Sequence, residues 1–317
     1  MENIWDVIII GAGAAGLTAS IYTCRRSLKT LVISLDIGGL TNLAENIENY
    51  PGYFPENSGA NLMQKIYQQA LKNGANFEFG EVERVEKEND FFKVILKNGN
   101  EFFSKSIIVA SGSKPRKLNV PGEDKLIGKG VSYCVTCDAP LFKDKVVAVV
   151  GGGNSALEGA LVLSSYASKI YLIHRREEFR AEEIIVDKVK KNSKIELVLN
   201  CVVTEIIGEK NVEKISVKNL KTNEERKLDV KGVFIEIGHE PSVDFIKHLV
   251  KTNERNEIIV DLDMKTSCEG IFAAGDITNI KYKQAIIAAG TGAIAALSAY
   301  DYLMRKIGKT GIRADWR

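Results

Sequence analysis

Two cysteines and an aspartate stand close together near the middle of the chain, in the run Cys134-Val135-Thr136-Cys137-Asp138. Cysteines at this spacing at the start of a helical turn can close a small disulfide, and N–H groups at a helix end would lower the pKa of a thiol there. An adjacent carboxylate such as Asp138 can move the proton that thiol–disulfide exchange requires. The run therefore predicts redox chemistry at Cys134 and Cys137, with Asp138 as the acid and base.

The competing interpretation of the cysteine pair is half of a zinc site. Zinc would need two further ligands, and the other three cysteines and the three histidines show no paired spacing, so we predict no metal site. We expect the other cysteines to be small buried hydrophobic residues: Cys24, Cys201 and Cys268. The odd total of five cysteines argues against a disulfide-stapled secreted scaffold and favours a reducing cytosol.

Two glycine-rich turns have the spacing that cradles a phosphate. Each follows an unbroken run of β-branched residues and precedes a helical stretch, which is the context that a dinucleotide-binding turn requires. In the first turn, Gly11 allows the tight bend, Gly13 lets the backbone approach a pyrophosphate, and Gly16 lets the helix pack closely on the sheet. The equivalent positions of the second turn are Gly151, Gly153 and Ala156. The alternative, a glycine turn that binds nothing, is weakened by the presence of two copies.

The residues that follow the second strand of each unit differ in charge. Asp36 follows the first, and a carboxylate there can hold ribose hydroxyls and repel a 2′-phosphate. His174, Arg175 and Arg176 follow the second, with Arg180 four residues on, and these cations can bind a 2′-phosphate. The pattern predicts FAD at the first unit and NADPH, in preference to NADH, at the second. The alternative is that the arginines pair with nearby glutamates on a solvated helix: Glu177, Glu178 and Glu182.

A third motif lies near the C-terminus, where an apolar run ends in Gly275-Asp276 and a helix is expected to begin near Gln284-Ala285. A carboxylate beside a close backbone approach suits a ribityl hydroxyl. The positive end of the helix would stabilise negative charge on a flavin ring. An ordinary strand–turn–helix is the alternative.

The elements that must position these residues form the same βαβ unit twice. The first has strands at 7–10 and 30–34 around a helix at 17–26, and the second has strands at 146–150 and 170–173 around a helix at 157–166. We predict an α/β protein with two Rossmann-like, three-layer ββα dinucleotide-binding domains. Clusters of Pro, Gly and charge mark two linkers. An NADPH domain at 117–242 is thus expected to be inserted into a discontinuous FAD domain at 1–116 and 243–317.

Composition excludes several classes of function. The chain has 317 residues, 45% hydrophobic and 26% charged, and its net charge of +2 creates no strong field for nucleic acid or an anionic membrane. The acidic N-terminus runs straight into an apolar strand, unlike a signal peptide. The apolar stretch 285–300 is shorter than the roughly 20 residues that span a bilayer, so we expect a helix packed inside the protein. A cytoplasmic location follows.

Together these motifs resemble the low-molecular-weight thioredoxin reductases along essentially the whole chain. The position of the cysteine pair in the second dinucleotide unit is the specific feature, because larger relatives such as glutathione reductase carry theirs in the FAD domain. The resemblance implies that electrons pass from NADPH through FAD to a Cys134/Cys137 disulfide and then to thioredoxin or a glutaredoxin-like protein. In this scheme the flavin reduces the disulfide through Cys137, Cys134 attacks the partner, and Asp138 donates and accepts the proton.

The resemblance also implies a homodimer formed largely through the FAD domains, a rotating NADPH domain and a set of cofactor contacts. The FAD contacts would come from Gly11, Gly13, Ala14, Ala15, Gly16, Asp36, Gly38, Gly39, Asn49, Val82, Ala110, Ser111, Gly112, Gly275, Asp276, Lys283, Gln284 and Ala285. The NADPH contacts would come from Gly151, Gly153, Asn154, Ser155, His174, Arg175, Arg176 and Arg180. Two departures from the family pattern are Leu40, where many members have Gln, and Ser111, which replaces Thr and keeps the hydroxyl.

Rival functions differ in the parts of this pattern that they need. A dithiol oxidase of the same fold would keep the cysteine pair without NADPH, and the arginine cluster argues against it. A ferredoxin–NADP reductase of this fold would lack the cysteine pair. A reductase fed by another donor remains an alternative, as does a nucleotide-binding or zinc-stabilised scaffold without catalysis. The sequence leaves the acceptor open between a thioredoxin, a glutaredoxin-like protein and a peroxidase component.

Overall fold

The computed structural model describes residues 4–43, 47, 49–55 and 58–311, apart from the side chains at 43, 136 and 137. The chain divides into two compact units. Unit 1 comprises Met1–Lys114 and Glu240–Arg317, and unit 2 comprises Pro115–His239. Unit 2 is thus inserted between the two parts of unit 1. The predicted boundaries lie two or three residues from these.

The helices and strands follow one another in three stretches of chain. The first stretch contains β1 (Ile4–Ile10), α1 (Ala14–Arg25), β2 (Thr30–Ser34), α2 (Gly59–Lys72), β3 (Asn76–Phe79), β4 (Val82–Glu88), β5 (Phe91–Leu96), β6 (Glu101–Val109) and β7 (Ser113–Pro115). The second contains α3 (Glu123–Leu126), β8 (Val131–Ser132), α4 (Val135–Asp138), β9 (Val146–Gly151), α5 (Asn154–Ser164), β10 (Lys169–His174), α6 (Glu183–Lys191), β11 (Ile195–Leu199), β12 (Cys201–Ile207), β13 (Lys214–Asn219), β14 (Glu225–Asp229), β15 (Gly232–Glu236) and β16 (His239–Pro241). The third returns to unit 1 with β17 (Ile271–Ala273) and α7 (Ala285–Lys306).

Unit 1 is built on a mixed sheet in the order β3-β2-β1-β6-β5-β4, with β17 also paired to β6. The strands β3, β2, β1, β6 and β17 are parallel, whereas β4 and β5 are antiparallel additions. Val7 and Ile9 of β1 pack with α1 and α7 on one face, and Ile8 and Ile10 pack with β5 and the segment after residue 242 on the other. Because both faces are covered, residues 7–10 of β1 are apolar without alternation.

Unit 2 has the same three-layer plan. Its parallel sheet has the order β11-β10-β9-β15-β8, and β12, β13 and β14 form a separate antiparallel sheet. Val147 and Val149 of β9 face α5 and α6, whereas Ala148 and Val150 face the antiparallel sheet. Each unit is therefore a layered ββα arrangement with a parallel sheet at its centre.

The predicted βαβ elements are present, but both helices begin three residues earlier than expected. The helix α1 begins at Ala14 directly after Gly13, and α5 begins at Asn154 directly after Gly153. Both glycines are N-caps in extended backbone conformation. The earlier start brings the first helical N–H groups up to the glycine turn, where a phosphate would lie.

The helix α7 is longer than the apolar stretch from which it was predicted. It has 22 residues and, among the described residues, is long and apolar enough to meet a length criterion for crossing a membrane, so the argument from shortness was wrong. Its packing supports the core-helix prediction instead. A Cβ on Gly292 would lie 2.2 Å from the carbonyl oxygen of Ala15, so α7 approaches the α1 backbone closely. The helix buries Ala289, Ala295 and Ala299.

Candidate cofactor and redox sites

In the first glycine turn, a side chain would have room at the middle glycine but would clash with backbone atoms at the other two. A Cβ on Gly11 (φ +107°) would lie 2.2 Å from the carbonyl oxygen of Ala110, and one on Gly16 would lie 1.8 Å from the oxygen of Gly11. A Cβ on Gly13 would meet only the oxygen of Gly38, at 4.0 Å. Gly11 and Gly16 are thus required by packing, whereas Gly13 opens onto a cradle. No side chain caps α1 and its first turn has no acidic residue, so its N–H groups suit an anion.

Residues after β2 complete one side of this cradle. The N–H of Ala12 donates to Ser34 Oγ at 3.1 Å. The N–H of Gly38 donates to the carbonyl oxygen of Ala12 at 2.8 Å, and a Cβ on Gly39 would lie 3.7 Å from Gly13 Cα. The structure therefore places Gly38 and Gly39 against the turn. Ser34, which the sequence analysis did not select, fixes its shape.

Residues at the ends of β6 and β17 form the other side of the cradle at Gly13. The N–H of Ala110 donates to the carbonyl oxygen of Ile10 at 2.8 Å, and a Cβ on Gly275 would lie 3.0 Å from Ala15 Cβ. The hydroxyl of Ser111 donates to the backbone oxygen of Ser242 at 2.8 Å. Ala14 and Ala15 are buried at the start of α1.

Predicted FAD contacts from the C-terminal part of the chain lie together just before and at the start of α7. Asn49 Nδ2 donates to Gln284 Oε1 at 3.2 Å, which joins two predicted contacts from distant parts of the chain. Lys283 Nζ forms an ion pair with Glu257 at 3.1 Å and donates to the backbone oxygen of Asp276 at 3.2 Å. The ammonium of Lys283 is therefore used in holding the loop before α7. No side chain caps α7, which begins at Ala285.

Three further predicted FAD contacts follow β2, begin β4 and follow Ser111. Asp36 is exposed, two residues beyond the end of β2. Val82 begins β4 and packs against the core on the face away from α1. Gly112 follows Ser111 in a left-handed conformation, and its oxygen accepts the N–H of Ser242 at 3.1 Å.

The second glycine turn repeats the pattern of the first. A Cβ on Gly151 would lie 2.2 Å from the oxygen of Glu236, and one on Gly152 would lie 2.1 Å from the His174 ring. A Cβ on Gly153 would meet no atom within 4 Å. The middle glycine again opens onto free space at the start of an uncapped helix whose first turn has no acidic residue.

Hydrogen bonds hold the second turn against the segment that follows β10. Asn154 Nδ2 donates to Glu182 Oε1 at 3.1 Å, and Asn154 Oδ1 accepts the N–H of Glu182 at 2.8 Å. The N–H of Arg180 donates to the carbonyl oxygen of Gly152 at 2.7 Å. Ser155 is exposed in the first turn of α5. The structure thus brings these predicted NADPH contacts together.

The arginine cluster is exposed and available. Arg175, Arg176 and Arg180 form no ion pair within the described part of the chain, so the alternative of simple pairing with neighbouring glutamates is not what the structure shows. Glu177 pairs with Lys221 at 2.5 Å instead. Three guanidinium groups next to an open glycine turn can bind a phosphate through charge-assisted hydrogen bonds.

The buried ring of His174 lines the second glycine turn. Its ring stacks on Phe179 with centroids 5.4 Å apart, and its Nε2 lies 3.1 Å from the carbonyl oxygen of Glu178. Burial lowers the pKa of His174, the bond to Glu178 opposes the change, and the nearby arginines lower it further. The lowered pKa favours the neutral form of the ring beside the arginines.

The cysteine run forms a short turn after β8. Cys134 is disulfide-bonded, whereas Cys24, Cys201 and Cys268 are free. The side chain of Cys137 lies outside the described part, so its pairing with Cys134 stays a prediction. The N–H of Cys134 donates to Ser132 Oγ at 3.0 Å, and the N–H of Asp138 donates to the oxygen of Cys134 at 3.3 Å.

Two carboxylates and one phenol near this turn were not predicted from the sequence. Glu236 ends β15 and accepts a hydrogen bond from Val135 N–H. Glu123 is buried and accepts the Tyr133 hydroxyl at 2.6 Å; burial, together with this carboxylate, raises the pKa of Tyr133. A carboxylate at the carboxyl end of a parallel strand was the available signal for Glu236, since ligand sites gather at that edge.

These observations fit the groups that the sequence predicts. Each unit has one glycine whose absent side chain leaves a cradle, at the start of a helix with no acidic first turn. In the part of the chain that the structure describes, the exposed arginine cluster lies at the second turn, as a 2′-phosphate would require. Within the described ranges, no group of three or more His, Cys, Asp or Glu could hold a metal ion.

Comparison with known proteins agrees with this arrangement. Residues 5–292 match the family described as pyridine nucleotide-disulphide oxidoreductase. A thioredoxin reductase of Rickettsia conorii is 42% identical over 308 residues, which are 96% of this chain and 99% of that protein. One component of the Staphylococcus aureus alkyl hydroperoxide reductase is 40% identical over 95% of this chain, but the match spans only 59% of that component's length.

Solved structures are similar as well. The thioredoxin reductase of Lactococcus lactis has a TM-score of 0.86 and 39% identity, covering 95% of this chain and 99% of that one. The thioredoxin reductase of T. acidophilum has a TM-score of 0.82 and 36% identity, with the same coverage. The predicted fold class, with two dinucleotide-binding domains, is confirmed by these likenesses.

Proposed function

Because this chain belongs to the pyridine nucleotide-disulphide oxidoreductases, and among them to the thioredoxin reductases, we propose that it transfers electrons from NADPH through FAD and a Cys134/Cys137 disulfide to thioredoxin. It is an oxidoreductase. The observation that carries the proposal is the disulfide-bonded Cys134 in the same unit as an open glycine turn and an exposed cluster of three arginines.

When bound, NADPH supplies a hydride and FAD passes the electron pair on to a disulfide. Unit 1 holds FAD through the turn at Gly13, with Gly38, Gly39, Ala110 and Gly275 as the surrounding walls. Unit 2 holds NADPH through the turn at Gly153, with Arg175, Arg176 and Arg180 binding the 2′-phosphate and His174 packing below them.

The cysteines carry the electron pair onward by two exchanges. The Cys134 thiolate attacks one sulfur of the partner's disulfide, that bond breaks, and a mixed disulfide forms. The Cys137 thiolate then attacks the Cys134 sulfur, which restores the Cys134/Cys137 disulfide and releases the partner as a dithiol. Asp138 takes up and returns the protons that the thiols lose and the partner gains.

Two other functions have less support. A dithiol oxidase has no use for the exposed cations of Arg175, Arg176 and Arg180. A peroxidase component is suggested by the likeness to alkyl hydroperoxide reductase, but this chain spans 59% of that relative. A thioredoxin is therefore the preferred acceptor.

A homodimer in the cytoplasm completes the proposal. Ile286 and Ile294 of α7 are both 40% exposed, and their spacing places them on one face of the helix, as a partner surface would require. Light scattering of the purified protein tests the dimer, and a monomer at micromolar concentration would exclude it. The location rests on the three free thiols, which are typical of a reducing compartment.

The assay for the function is oxidation of NADPH at 340 nm in the presence of purified thioredoxin, a glutaredoxin-like protein or a peroxidase component. We expect turnover that requires both the enzyme and thioredoxin, with NADH a much poorer donor. Reduction of thioredoxin by artificial donors, without NADPH oxidation, would indicate a different electron donor.

A further inference from the structure

Glu236 lies at the carboxyl end of β15, beside the turn that carries Cys134. Phe234 of β15 pairs with Ser132 of β8, and Glu236 pairs with Gly151 of β9 on the other side. Since β8 and β15 are parallel, the chain that leaves β8 reaches Cys134 at the level of Glu236. The strand register thus places an ionisable side chain next to the redox turn.

Alternation along β15 puts Glu236 on the same face as Phe234, which packs in one cluster with Val135 of that turn. The Glu236 carboxylate accepts a hydrogen bond from Val135 N–H, while the preceding N–H, that of Cys134, donates to Ser132 Oγ at 3.0 Å. Two consecutive N–H groups are thus bound by side chains and are not available to a thiolate. A hydrogen bond to an ionised carboxylate is stronger than one to a neutral acid. The strength of the hydrogen bond between Val135 and Glu236 therefore depends on the charge of Glu236.

The carboxyl group changes charge close to neutrality. Glu236 is largely buried, and burial raises its pKa to about 7, while the hydrogen bond from Val135 opposes this change. The same group would be fully ionised at neutral pH if it were exposed. Thiol–disulfide exchange takes place in this pH range, since it needs a thiolate.

We propose that Glu236 is a positioning residue for the disulfide chemistry of Cys134: it holds the cysteine turn through Val135, and its ionisation makes formation of the Cys134 thiolate less favourable. The inference rests on the proposed function in taking Cys134 as the attacking thiol. It assigns to this chain a second carboxyl group at the redox turn, in addition to Asp138.

Titratable residues on the neighbouring elements define the controls. Tyr133, Cys134 and Asp138 belong to the turn and α4, which also contains Cys137; the His174 ring lies beside Gly152, next to the end of β9; and His239 follows β15 along the chain. Burial and Glu123 raise the pKa of Tyr133, so it stays protonated. Burial lowers the pKa of His174, which moves its titration away from pH 7. Asp138 is the carboxyl group that needs a control of its own.

The test is the pH profile of Cys134 alkylation in the dithiothreitol-reduced holoenzyme, measured by iodoacetamide labelling and peptide mass spectrometry after anaerobic removal of the reductant. In wild type, the rate of Cys134 alkylation should show an inflection near pH 7, at a lower pH than the titration of the Cys134 thiol itself. Glu236→Gln keeps an acceptor for Val135 N–H but cannot ionise. It should lose the inflection and react on the order of tenfold faster just above neutral pH. Glu205→Gln, an exposed carboxylate of β12, should leave the profile unchanged.

Several results would overturn the inference. A profile in Glu236→Gln equal to that of wild type would do so, as would a wild-type profile with a single thiol titration. If Glu236→Gln does not fold, Asp138→Asn decides: an inflection that persists there supports Glu236, and one that disappears assigns it to Asp138. The labelling requires neither NADPH nor thioredoxin. Failure of the proposed function, seen as no NADPH-dependent reduction of thioredoxin by wild type, would therefore be recorded separately.

Discussion

At the residue scale, charge distinguishes two glycine turns that are otherwise alike. Both leave a cradle at the middle glycine, but only the second is flanked by guanidinium groups without ion-pair partners in the described ranges. The neighbouring glutamates are engaged elsewhere, Glu177 with Lys221 and Glu182 with Asn154. The sequence predicts the positions of these charges but not their pairing, because pairing depends on rotamers and on distant residues.

Removing one guanidinium from this cluster should weaken selection of NADPH over NADH. A hydrogen bond to a charged group contributes about 1.5–3 kcal/mol, so Arg175→Ala should raise the KM for NADPH roughly 10- to 100-fold. The KM for NADH should change less than about threefold. Arg226→Ala, which removes an exposed arginine 3.9 Å from Glu196, is the matched control. Equal losses with both nucleotides would show that Arg175 does not read the 2′-phosphate.

Glu236 should also make the stability of unit 2 depend on pH. Its pKa is raised to about 7 in the folded protein from 4.5, so the folded state retains a proton that the unfolded state releases. This group therefore stabilises the fold least at high pH, and stability should fall as pH rises from about 4.5 to about 7. Relative to Glu236→Gln, wild type should lose roughly 2–3 kcal/mol between pH 5 and pH 8. Urea unfolding followed by circular dichroism measures the difference, and parallel curves for the two proteins would contradict it.

At the element scale, each glycine turn combines a packing requirement with an open cradle. The helices begin immediately after Gly13 and Gly153, earlier than the apolar pattern indicates, because small residues such as Ala14 and Ala15 carry no amphipathic signal. Three of the four predicted strands agree with the structure to within one residue at each end, since a buried parallel strand is an unbroken apolar run; β1 begins three residues earlier than predicted, because its first residues are half-buried and include Asp6. The neighbours of each glycine depend on tertiary contacts that no local pattern contains.

Two alanine substitutions should separate these roles in the first turn. Gly13→Ala has open space and an ordinary φ of −75°, so the apoprotein should unfold at the wild-type urea concentration while binding FAD at least about tenfold more weakly. Gly16→Ala places a Cβ 1.8 Å from the oxygen of Gly11 and should destabilise the apoprotein by more than about 2 kcal/mol. Flavin absorbance and apoprotein unfolding are the two readouts. Normal flavin content in Gly13→Ala would contradict the cradle.

At the scale of the whole molecule, duplication of the βαβ unit made most of the architecture predictable. The insertion of one unit into the other followed from two linkers, and its boundaries in the structure differ by two or three residues from those expected. The last helix was predicted to pack inside the protein because it looked too short to span a membrane, and that reason was wrong, since α7 is long enough. What shows its packing is its close approach to Ala15, a contact between distant parts of the chain that the sequence does not reveal. Glu236 was missed because its role depends on strand order and not on a local motif.

The central claim is that NADPH reduces both the flavin and the cysteine disulfide. The most direct measurement is anaerobic titration of wild type and Cys137→Ser with NADPH, followed by flavin bleaching near 450 nm. We expect rapid bleaching in both proteins and one electron pair more per flavin in wild type. No bleaching by NADPH, in a flavin-containing protein that dithiols can reduce, would contradict the claim and identify the enzyme as a dithiol oxidase or a reductase with another donor.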